Sequence, residues 1–447
     1  MFRVLRDFFE LEGNNVLLVC GESGVGKTLF GFEVLREVGD VGCGIYVSCG
    51  VNEDALFERC RWLDRYVRVV IDASDFPFPQ ESDAYEVAVR SNLPNLLRYV
   101  YEKVEEVGGS SFIFLDDFEG VCNAIGLDPI STMELYVDFI RRVNVRSIVA
   151  TGIRNVFDRV VDGVVSLKRK SLGGRLIREF LFRKLRGVKI SCLYGVFTLL
   201  GGRFTFIEPS LSEFENLPYG FRDKLKGFPM VGGRQTGFLG EVTFSFGSDS
   251  FDRFFGGLPE GCLYVLIFKP MVPSLLRYIF LLSIVNSFVV DGGKVVSVGL
   301  EPVSPQLPPC ALSFVEECVK KGVYLRVSLK DCFKECFIEG GVFPWEQHSP
   351  SLVLLDLDYL NVFFGVENAT RLVYNFARHA REKKFVLVIA GSTIPNAICS
   401  LADRILVFSQ RFNYTLVHGA KPWTPLYVFS LKINYEGFIE NELIEVV

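Results

Sequence analysis

The stretch Gly21-Glu22-Ser23-Gly24-Val25-Gly26-Lys27-Thr28 decides the fold, because it fits the pattern GxxxxGK[ST] of a phosphate-binding loop. The apolar run from Val16 to Cys20 precedes it, and the helix-like run from Leu29 to Leu35 follows it. A glycine-rich turn that fits the pattern by accident is the alternative. It is disfavoured because the strand, the helix and all four defining positions occur together.

Each residue type in this loop has a chemical reason to be there. Glycines let the backbone approach the β- and γ-phosphates, so that successive N–H groups and the positive end of the next helix face the anion. Lys27 is expected to reach the β/γ oxygens, and the Thr28 hydroxyl to complete the shell of a Mg²⁺ ion. ATP and Mg²⁺ are therefore the predicted cofactors, although the motif does not distinguish ATP from GTP. The predicted nucleotide-binding residues are Gly21, Glu22, Ser23, Gly24, Val25, Gly26, Lys27, Thr28 and Leu29.

A second motif lies about 90 residues downstream, where the apolar run Ser111–Leu115 ends in Asp116 and Asp117. A hydrophobic strand followed by a carboxylate is typical of the Walker B segment, whose Asp holds Mg²⁺ at the carboxyl end of a parallel sheet. Asp116 is predicted to have this role, and Asp117 is the alternative. An exposed acidic turn would be preferred if the phosphate-binding loop were absent.

Length and composition limit the possible classes of protein. A chain of 447 residues, of which 49% are apolar, predicts two domains of ordinary α/β size. A net charge of −5 gives no global basic field, so nucleic-acid binding is not favoured. The amino terminus lacks a secretory signal, which predicts a cytoplasmic protein. The apolar segment Cys262–Val290 is interrupted by Lys269, Pro270, Pro273 and Arg277, so no membrane span is expected.

The twelve cysteines are scattered, and no CxxC pair occurs among them. The closest spacing, Cys332-x₃-Cys336, has only His348 nearby and no second close pair. Buried apolar thiols are therefore favoured over a zinc site. Whether any of the cysteines form disulfides stays open.

Strands and helices alternate along both halves, which predicts two domains with mostly parallel sheets. The proposed organisation is an ATP-binding domain at residues 1–208, a linker or crossover at 209–243, and a second domain at 244–447. In the second domain the loop position reads Phe268 to Leu275. Pro273 there lacks an N–H, and neither the lysine nor the hydroxyl ligand is present, so this loop is not expected to hold phosphate. The fold class is α/β, with a degenerate second site.

These motifs together resemble the KaiC branch of the RecA superfamily of P-loop ATPases, whose members carry a K-[LM]-R-G segment after a long hairpin. The resemblance covers nearly the whole chain, and it looks closest to archaeal GvpD-like proteins, which are gas-vesicle regulators. The segments that carry it are the P-loop, Leu5–Phe9, Asp116–Glu119, Phe182–Gly187, Gly201–Phe204 and Gly256–Gly261.

The resemblance implies roles for two basic residues. In KaiC-like proteins the lysine and arginine of that segment reach across a subunit interface to the neighbour's γ-phosphate, which here implies Lys184 and Arg186. Two cations aimed at the phosphoryl oxygens neutralise charge that develops during transfer. A homo-oligomer, either a ring or a dimer, follows from this interpretation. The alternative is a solvated basic strand face, because the whole segment from Arg175 to Lys189 is basic.

The chain also departs from the family pattern. KaiC-like proteins place a catalytic glutamate at the end of the strand after the P-loop helix, where it polarises the attacking water. Here that position reads Val47 to Gly50, with no carboxylate before Glu53, while Glu301 occupies the comparable place in the second domain. Slow hydrolysis, or binding without useful turnover, is the expected consequence.

Three functions follow from these observations. The leading hypothesis is an ATP-dependent regulatory protein that acts through a protein partner, which is what the GvpD resemblance implies. The second is a RecA-type ATPase that acts on DNA, with the basic segment from Lys168 to Lys189 touching phosphates. The third is an assembly scaffold in which the nucleotide is structural.

Overall fold

The computed structural model describes residues 1–13, 15–50, 53–75, 85–108, 111–152, 156–190, 192–211, 225–229, 235–236, 242–299, 308–327 and 349–446. The chain divides into two compact units, Met1–Ile207 with Val446, and Glu208–Glu445. No helix in the described part of the chain combines the length and the apolar character needed to cross a membrane.

The first unit is built on a nine-stranded sheet of order β3-β2-β4-β5-β1-β6-β7-β8-β9. The strands are β1 (Val16–Cys20), β2 (Gly44–Ser48), β3 (Val67–Asp72), β4 (Phe112–Leu115), β5 (Arg146–Thr151), β6 (Gly163–Leu172), β7 (Arg175–Leu185), β8 (Tyr194–Thr198) and β9 (Thr205–Ile207). Strands β1 to β6 pair in parallel, and β7 to β9 continue the sheet antiparallel. Its α-helices are α1 (Phe2–Glu10), α2 (Lys27–Val38), α3 (Glu53–Arg59), α4 (Tyr85–Val107), α5 (Phe118–Ala124) and α6 (Pro129–Val143).

The central strand β1 is buried on both faces, as its continuous apolar sequence predicts. Leu17 and Val19 belong to one hydrophobic cluster, whereas Val16, Leu18 and Cys20 belong to another on the opposite face. Because β1, β4 and β5 are parallel neighbours in the sheet, the residues that follow them emerge at the same edge. This edge brings together the P-loop, Asp116 and Gly152, which are far apart in sequence.

The second unit repeats the architecture with a nine-stranded sheet of order β15-β14-β16-β17-β13-β18-β19-β20-β21. A separate three-stranded sheet contains β10 (Gln235–Thr236), β11 (Val242–Phe244) and β12 (Leu258–Pro259). The strands of the large sheet are β13 (Leu263–Phe268), β14 (Val295–Val298), β15 (Tyr324–Val327), β16 (Leu352–Asp356), β17 (Val386–Gly391), β18 (Arg404–Arg411), β19 (Tyr414–Lys421), β20 (Tyr427–Ile433) and β21 (Ile439–Glu445). Its described α-helices are α7 (Asp249–Phe255), α8 (Ser274–Val290), α9 (Pro309–Lys320), α10 (Leu357–Lys383) and α11 (Asn396–Leu401).

Each strand of the first large sheet has a counterpart in the second, position by position. An aspartate directly before the sixth strand of each sheet marks the register: Asp162, which is buried, precedes β6, and Asp403, which is partly exposed, precedes β18. The Val16 N–H donates to Asp162 Oδ2 at 3.2 Å, and the Leu263 N–H donates to Asp403 Oδ2 at 2.8 Å. Val16 therefore corresponds to Leu263, and Asp162 to Asp403. The predicted fold class, α/β with two mostly parallel sheets flanked by helices, is confirmed and is consistent with tandem RecA-like units.

The stretch 209–243, predicted as a linker or crossover, has described residues that pack on the second unit. Leu225 and Phe228 are buried in the hydrophobic core of that unit. The Ser210 N–H donates to the Asn413 carbonyl at 3.1 Å, and the Lys226 N–H donates to the Gly437 carbonyl at 3.0 Å. Its composition, rich in glycine and polar residues, gave no periodicity from which this packing could be predicted.

Candidate nucleotide-binding site

The P-loop connects β1 to α2, as the sequence predicts. The Gly21 N–H donates to the Thr151 carbonyl at 3.1 Å, which ties the start of the loop to the end of β5. Gly24 and Gly26 have φ angles of 72° and 109°, which side chains other than glycine rarely adopt. At Gly21 a Cβ would lie 2.9 Å from the Leu167 carbonyl oxygen, so a larger residue would displace the loop.

The Lys27 side chain folds back over the loop. Its Nζ donates to the carbonyls of Gly21 at 2.9 Å and Glu22 at 3.2 Å. These contacts hold the ammonium group at the mouth of the loop, where an anion bound by the backbone N–H groups would meet it.

Thr28 and Asp116 are in direct contact. The Thr28 hydroxyl donates to Asp116 Oδ2 at 2.7 Å, and the Tyr46 hydroxyl donates to the same oxygen at 3.0 Å. Asp116 is only 7% exposed, and burial raises the pKa of its carboxyl, while the hydrogen bonds from Thr28 and Tyr46 lower that pKa. Burial and the Asp116 charge raise the pKa of Tyr46, so the phenol remains a neutral donor.

The donor set at this position fits Mg²⁺. A hydroxyl and a carboxylate are hard oxygen ligands, and Mg²⁺ is usually held by one or two carboxylates together with substrate phosphates. Within the described residues, no cluster of three or more His, Cys, Asp and Glu side chains is suited to an all-protein metal cage. Thr28 and Asp116 would therefore hold the ion only in combination with a bound nucleotide.

Asp117, the alternative metal ligand, is oriented differently. It is the N-cap residue of α5 with a φ of 53°, and its N–H donates to Asp116 Oδ1 at 3.1 Å. Its side chain lies beside Gly120, where a Cβ would come within 2.4 Å of Asp117 Oδ2. It is Asp116 that bonds to Thr28, whereas Asp117 shapes the turn into α5.

Glu119, on the first turn of α5, also faces this site. Its Oε1 accepts a hydrogen bond from the Gly152 N–H at 2.8 Å and another from the Thr151 hydroxyl. Both donors lie at the carboxyl end of β5, so the carboxylate is fixed on the same edge of the sheet as Asp116.

These residues line one pocket of about 670 Å³. That volume lies within the range of sites that bind nucleotides and other small molecules. Polar and charged groups converge from the loop, from the end of β4 and from the end of β5, whereas Leu199 supplies apolar surface. The lining residues are Ser23, Gly24, Gly26, Lys27, Thr28, Leu29, Asp116, Asp117, Glu119, Gly152 and Leu199.

Arg178 on β7 contacts the loop from outside this lining. Its Nη1 donates to the carbonyls of Val25 at 3.1 Å and Gly24 at 3.3 Å. In the sequence Arg178 is one cation in a basic run, and the run alone does not indicate which cation reaches the loop. The register of β7 against β6 supplies that information.

Lys184 and Arg186 lie at the end of the sheet opposite the P-loop, beside the start of β1. Leu185 pairs with Gly163, which in turn pairs with Leu17 near the start of β1. The Lys184 Nζ donates to the carbonyls of Val161 and Asp158 at 2.6 and 2.8 Å. Arg186 Nη1 donates to Asp162 Oδ1 at 3.1 Å. The structure therefore does not bring these two cations to the P-loop of their own chain.

At the corresponding position of the second unit, aromatic and charged side chains contact one another. Phe268, at the position of Gly21, stacks on Phe408 with ring centroids 4.4 Å apart. Arg277 lies over the Phe268 ring at 5.5 Å and forms an ion pair with Asp356, the counterpart of Asp116, at 2.8 Å. Glu301, Cys332 and Cys336 lie outside the described residues.

Comparison with known proteins gives this site a family context. Residues 5–183 match the family model described as "GvpD gas vesicle protein, P-loop domain". The first unit carries a GvpD-like P-loop domain. The predicted GvpD resemblance is thereby confirmed, and a P-loop domain implies nucleotide binding.

Two curated relatives agree with this family match. Protein GvpD2 of Halobacterium salinarum is 31% identical over 233 residues, covering 48% of this chain and 46% of the relative. Protein GvpD1 of the same organism is 29% identical over 223 residues, covering 46% of this chain and 40% of the relative. The chain thus spans less than half the length of each relative.

Proposed function

We propose that this chain is a cytoplasmic regulatory protein that binds Mg-ATP in its first unit and hydrolyses it slowly. The observation that carries the proposal is the Thr28–Asp116 hydrogen bond beside Lys27, in one pocket with the P-loop. These groups supply a phosphate cradle, a cation for the β/γ oxygens and two oxygen ligands for Mg²⁺. ATP would act as a switch ligand whose binding changes the affinity for a partner protein.

One nucleotide site per chain follows from the difference between the two loops. The first unit has Gly26, Lys27 and Thr28 where the second has Pro273, Ser274 and Leu275. A proline lacks the N–H that a phosphate needs, and neither serine nor leucine supplies the missing cation. The Arg277–Asp356 ion pair further removes the free carboxylate that a metal would require.

The two basic residues at the far edge of the sheet have different counterparts in the second unit. Lys184 corresponds to Lys421 by strand register, and both ammonium groups bond to equivalent carbonyls, those of Val161 and Ala402. Because the contact occurs in both units whatever the state of the loop, it supports a structural role for Lys184.

Arg186 differs, because its counterpart is Trp423. The arginine is thus present only in the unit that has an intact P-loop. Its side chain is 56% exposed, and Asp162 would keep Arg141 at 2.9 Å if Arg186 turned away. We therefore propose Arg186 as the residue that reaches a neighbouring subunit's nucleotide in a homo-oligomer, with Lys184 supporting the strand end.

Glu119 is the carboxylate best placed to orient an attacking water. The strand end that carries the glutamate in KaiC-like proteins has Ser48, Cys49 and Gly50 here. Glu119 lines the same pocket as Lys27 and is fixed by the Gly152 N–H. A base supplied from α5 instead of β2 is compatible with slow hydrolysis.

Calorimetric titration with Mg-ATP tests this function. The wild type should bind about one nucleotide per chain, Lys27→Ala should bind none, and Ser274→Ala, the matched change in the second unit, should bind as the wild type does. A stoichiometry near two, or binding that survives in Lys27→Ala, would overturn the single-site proposal. Mass measurement with and without Mg-ATP would test the assembly step.

A further inference from the structure

Two arginines face each other across the hairpin formed by β6 and β7. Arg169 and Arg178 are directly paired in the antiparallel register. Like charges directly opposite each other destabilise a sheet. Burial and the neighbouring Arg169 charge both lower the pKa of Arg178. A pair that opposes folding in this way needs a compensating interaction.

The second unit shows what occupies these positions when the loop is degenerate. Both sheets have a register irregularity at the same place, between Val164 and Val165 in one and between Ile405 and Leu406 in the other. In the first sheet, the residue four positions after Val165 is Arg169, which pairs with Arg178. In the second sheet, the residue four positions after Leu406 belongs to a neutral pair.

That neutral pair is Gln410 opposite Thr415, and the Thr415 hydroxyl donates to Gln410 Oε1 at 2.7 Å. The second unit thus has a mutually satisfied pair at the positions where the first has two cations. Because the two units share strand order and register, the difference is not imposed by the fold. It accompanies the intact P-loop.

Arg178 reaches that loop directly, through hydrogen bonds to the carbonyls of Gly24 and Val25. In a peptide group the carbonyl and the N–H point in opposite directions. A guanidinium on the carbonyl side therefore fixes the peptide plane and strengthens the positive end of the dipole on the other side. The N–H groups concerned are those of Gly26 and Val25, within the phosphate-binding segment, and the Val25 N–H also donates to the Glu22 carbonyl at 3.3 Å.

We propose that Arg178, with Arg169 beside it, is a positioning residue that holds the P-loop in its phosphate-binding conformation and raises the positive potential at the bound polyphosphate. This inference rests on the proposed nucleotide-binding function and adds residues within the same chain to that site. It separates their role from that of Arg186, because ADP has the α- and β-phosphates that the loop binds and lacks only the γ-phosphate. The arginine pair should therefore matter for ADP and ATP alike.

The test is titration of ADP and Mg-ATP into full-length variants. Arg178→Gln should weaken the binding of both nucleotides about tenfold. Arg178→Lys should recover part of that loss, because lysine keeps the charge but not the paired N–H donors of the guanidinium. Lys168→Gln is the matched control, since it removes one charge from the same hairpin on the opposite face of the strand. Its affinity should equal that of the wild type.

Arg169→Gln supplies a second readout that a merely structural role would not produce. It should weaken ADP binding about threefold and raise the thermal midpoint of the nucleotide-free protein by about 1–3 °C, because a like-charge contact is removed. Loss of affinity together with a gain in stability supports the inference. This variant also decides the question if Arg178→Gln fails to fold.

Three outcomes would overturn the inference. Unchanged ADP affinity in a folded Arg178→Gln protein, or in Arg169→Gln, would overturn it while leaving the proposed function in place. Failure of the wild type to bind either nucleotide would overturn both. A loss confined to ATP would also contradict it, because that pattern belongs to a group that contacts only the γ-phosphate.

Discussion

The Arg277 guanidinium lies 2.8 Å from the Asp356 carboxylate, at the sheet position where the first unit places Thr28 against Asp116. At corresponding edges of the two sheets, a carboxylate is therefore neutralised in two different ways. In the first unit the carboxylate accepts hydrogen bonds from neutral hydroxyls, and its charge would be balanced by a Mg²⁺ ion bound with the nucleotide. In the second unit a covalently attached cation balances it permanently.

Replacing Arg277 with Met should destabilise the second unit by about 2–4 kcal/mol, because it leaves Asp356 buried and without its main cation. Hydrogen exchange of the amides in β16 should accelerate, while the affinity of the first unit for Mg-ATP should not change. The double variant with Asp356→Asn should recover part of the stability, since the unbalanced charge is gone. No recovery in the double variant would show that Arg277 acts through packing on Phe268 instead.

Asp116 should make folding stability fall as pH rises. Burial raises the pKa of its carboxyl in the folded state, so the native protein binds more protons than the unfolded chain between the ordinary pKa of an aspartate and the raised value. Its contribution to stability is therefore greatest below that window and is lost as pH rises through it. Asp116→Asn should flatten this fall, as measured by urea unfolding across a pH series.

The Asp116→Asn variant should also bind Mg-ATP more weakly, because an amide cannot replace a carboxylate as a ligand of Mg²⁺. Asp117→Asn is the control, since Asp117 shapes the turn into α5 and its carboxylate does not bond to Thr28. Loss of Mg²⁺-dependent binding in Asp117→Asn but not in Asp116→Asn would reverse the assignment of the metal ligand.

Glu119→Gln should lower the rate of phosphate release by about a hundredfold or more, while the affinity for Mg-ATP stays within about twofold of the wild type. The amide can still accept the Gly152 N–H, so the pocket should keep its shape, but it cannot take a proton from water. Asp358→Asn is the matched control, because Asp358 accepts the equivalent Ser392 N–H in the second unit. Equal turnover in Glu119→Gln and the wild type would remove Glu119 from the mechanism.

Local sequence patterns were sufficient for the parts of the site that lie on one strand–loop–helix segment. The run GESGVGKT predicted the P-loop and its strand, and the apolar strand before Asp116 predicted a carboxylate at the carboxyl end of the parallel sheet. Both depend on short-range order, on spacing within a few residues and on the rule that parallel strands end at one edge.

The contacts that the sequence did not reveal depend on register between distant strands. Arg178 reaches the loop because β7 pairs with β6 in one particular alignment, and a run with six basic residues offers no means to choose among them. The sequence likewise does not distinguish Arg277 from other helical residues, because its role depends on the position of Asp356 in the folded sheet. A one-residue slip of β7 would point Arg178 to the opposite face of its sheet, and a one-residue slip of β16 would do the same to Asp356.

The final prediction concerns Arg186, since it separates an interface role from a structural one. Arg186→Ala should lower hydrolysis and ATP-dependent assembly while leaving ADP affinity unchanged, because ADP has no γ-phosphate to reach. Lys184→Ala should instead lower stability, because it releases the carbonyls of Val161 and Asp158. Different effects from two neighbouring cations would argue against a general loss of positive charge.

A mixing experiment makes the interface role of Arg186 testable without assuming an oligomer size. Lys27→Ala protein keeps Arg186 but cannot bind ATP, whereas Arg186→Ala protein binds ATP but cannot supply an arginine to the neighbouring subunit's nucleotide. Mixed, they should recover part of the hydrolysis rate at interfaces where an intact loop meets an intact arginine. If the two variants co-assemble, as shown by mass, and no activity returns, then Arg186 acts within its own chain. Its ion pair with the buried Asp162 would then be its whole function.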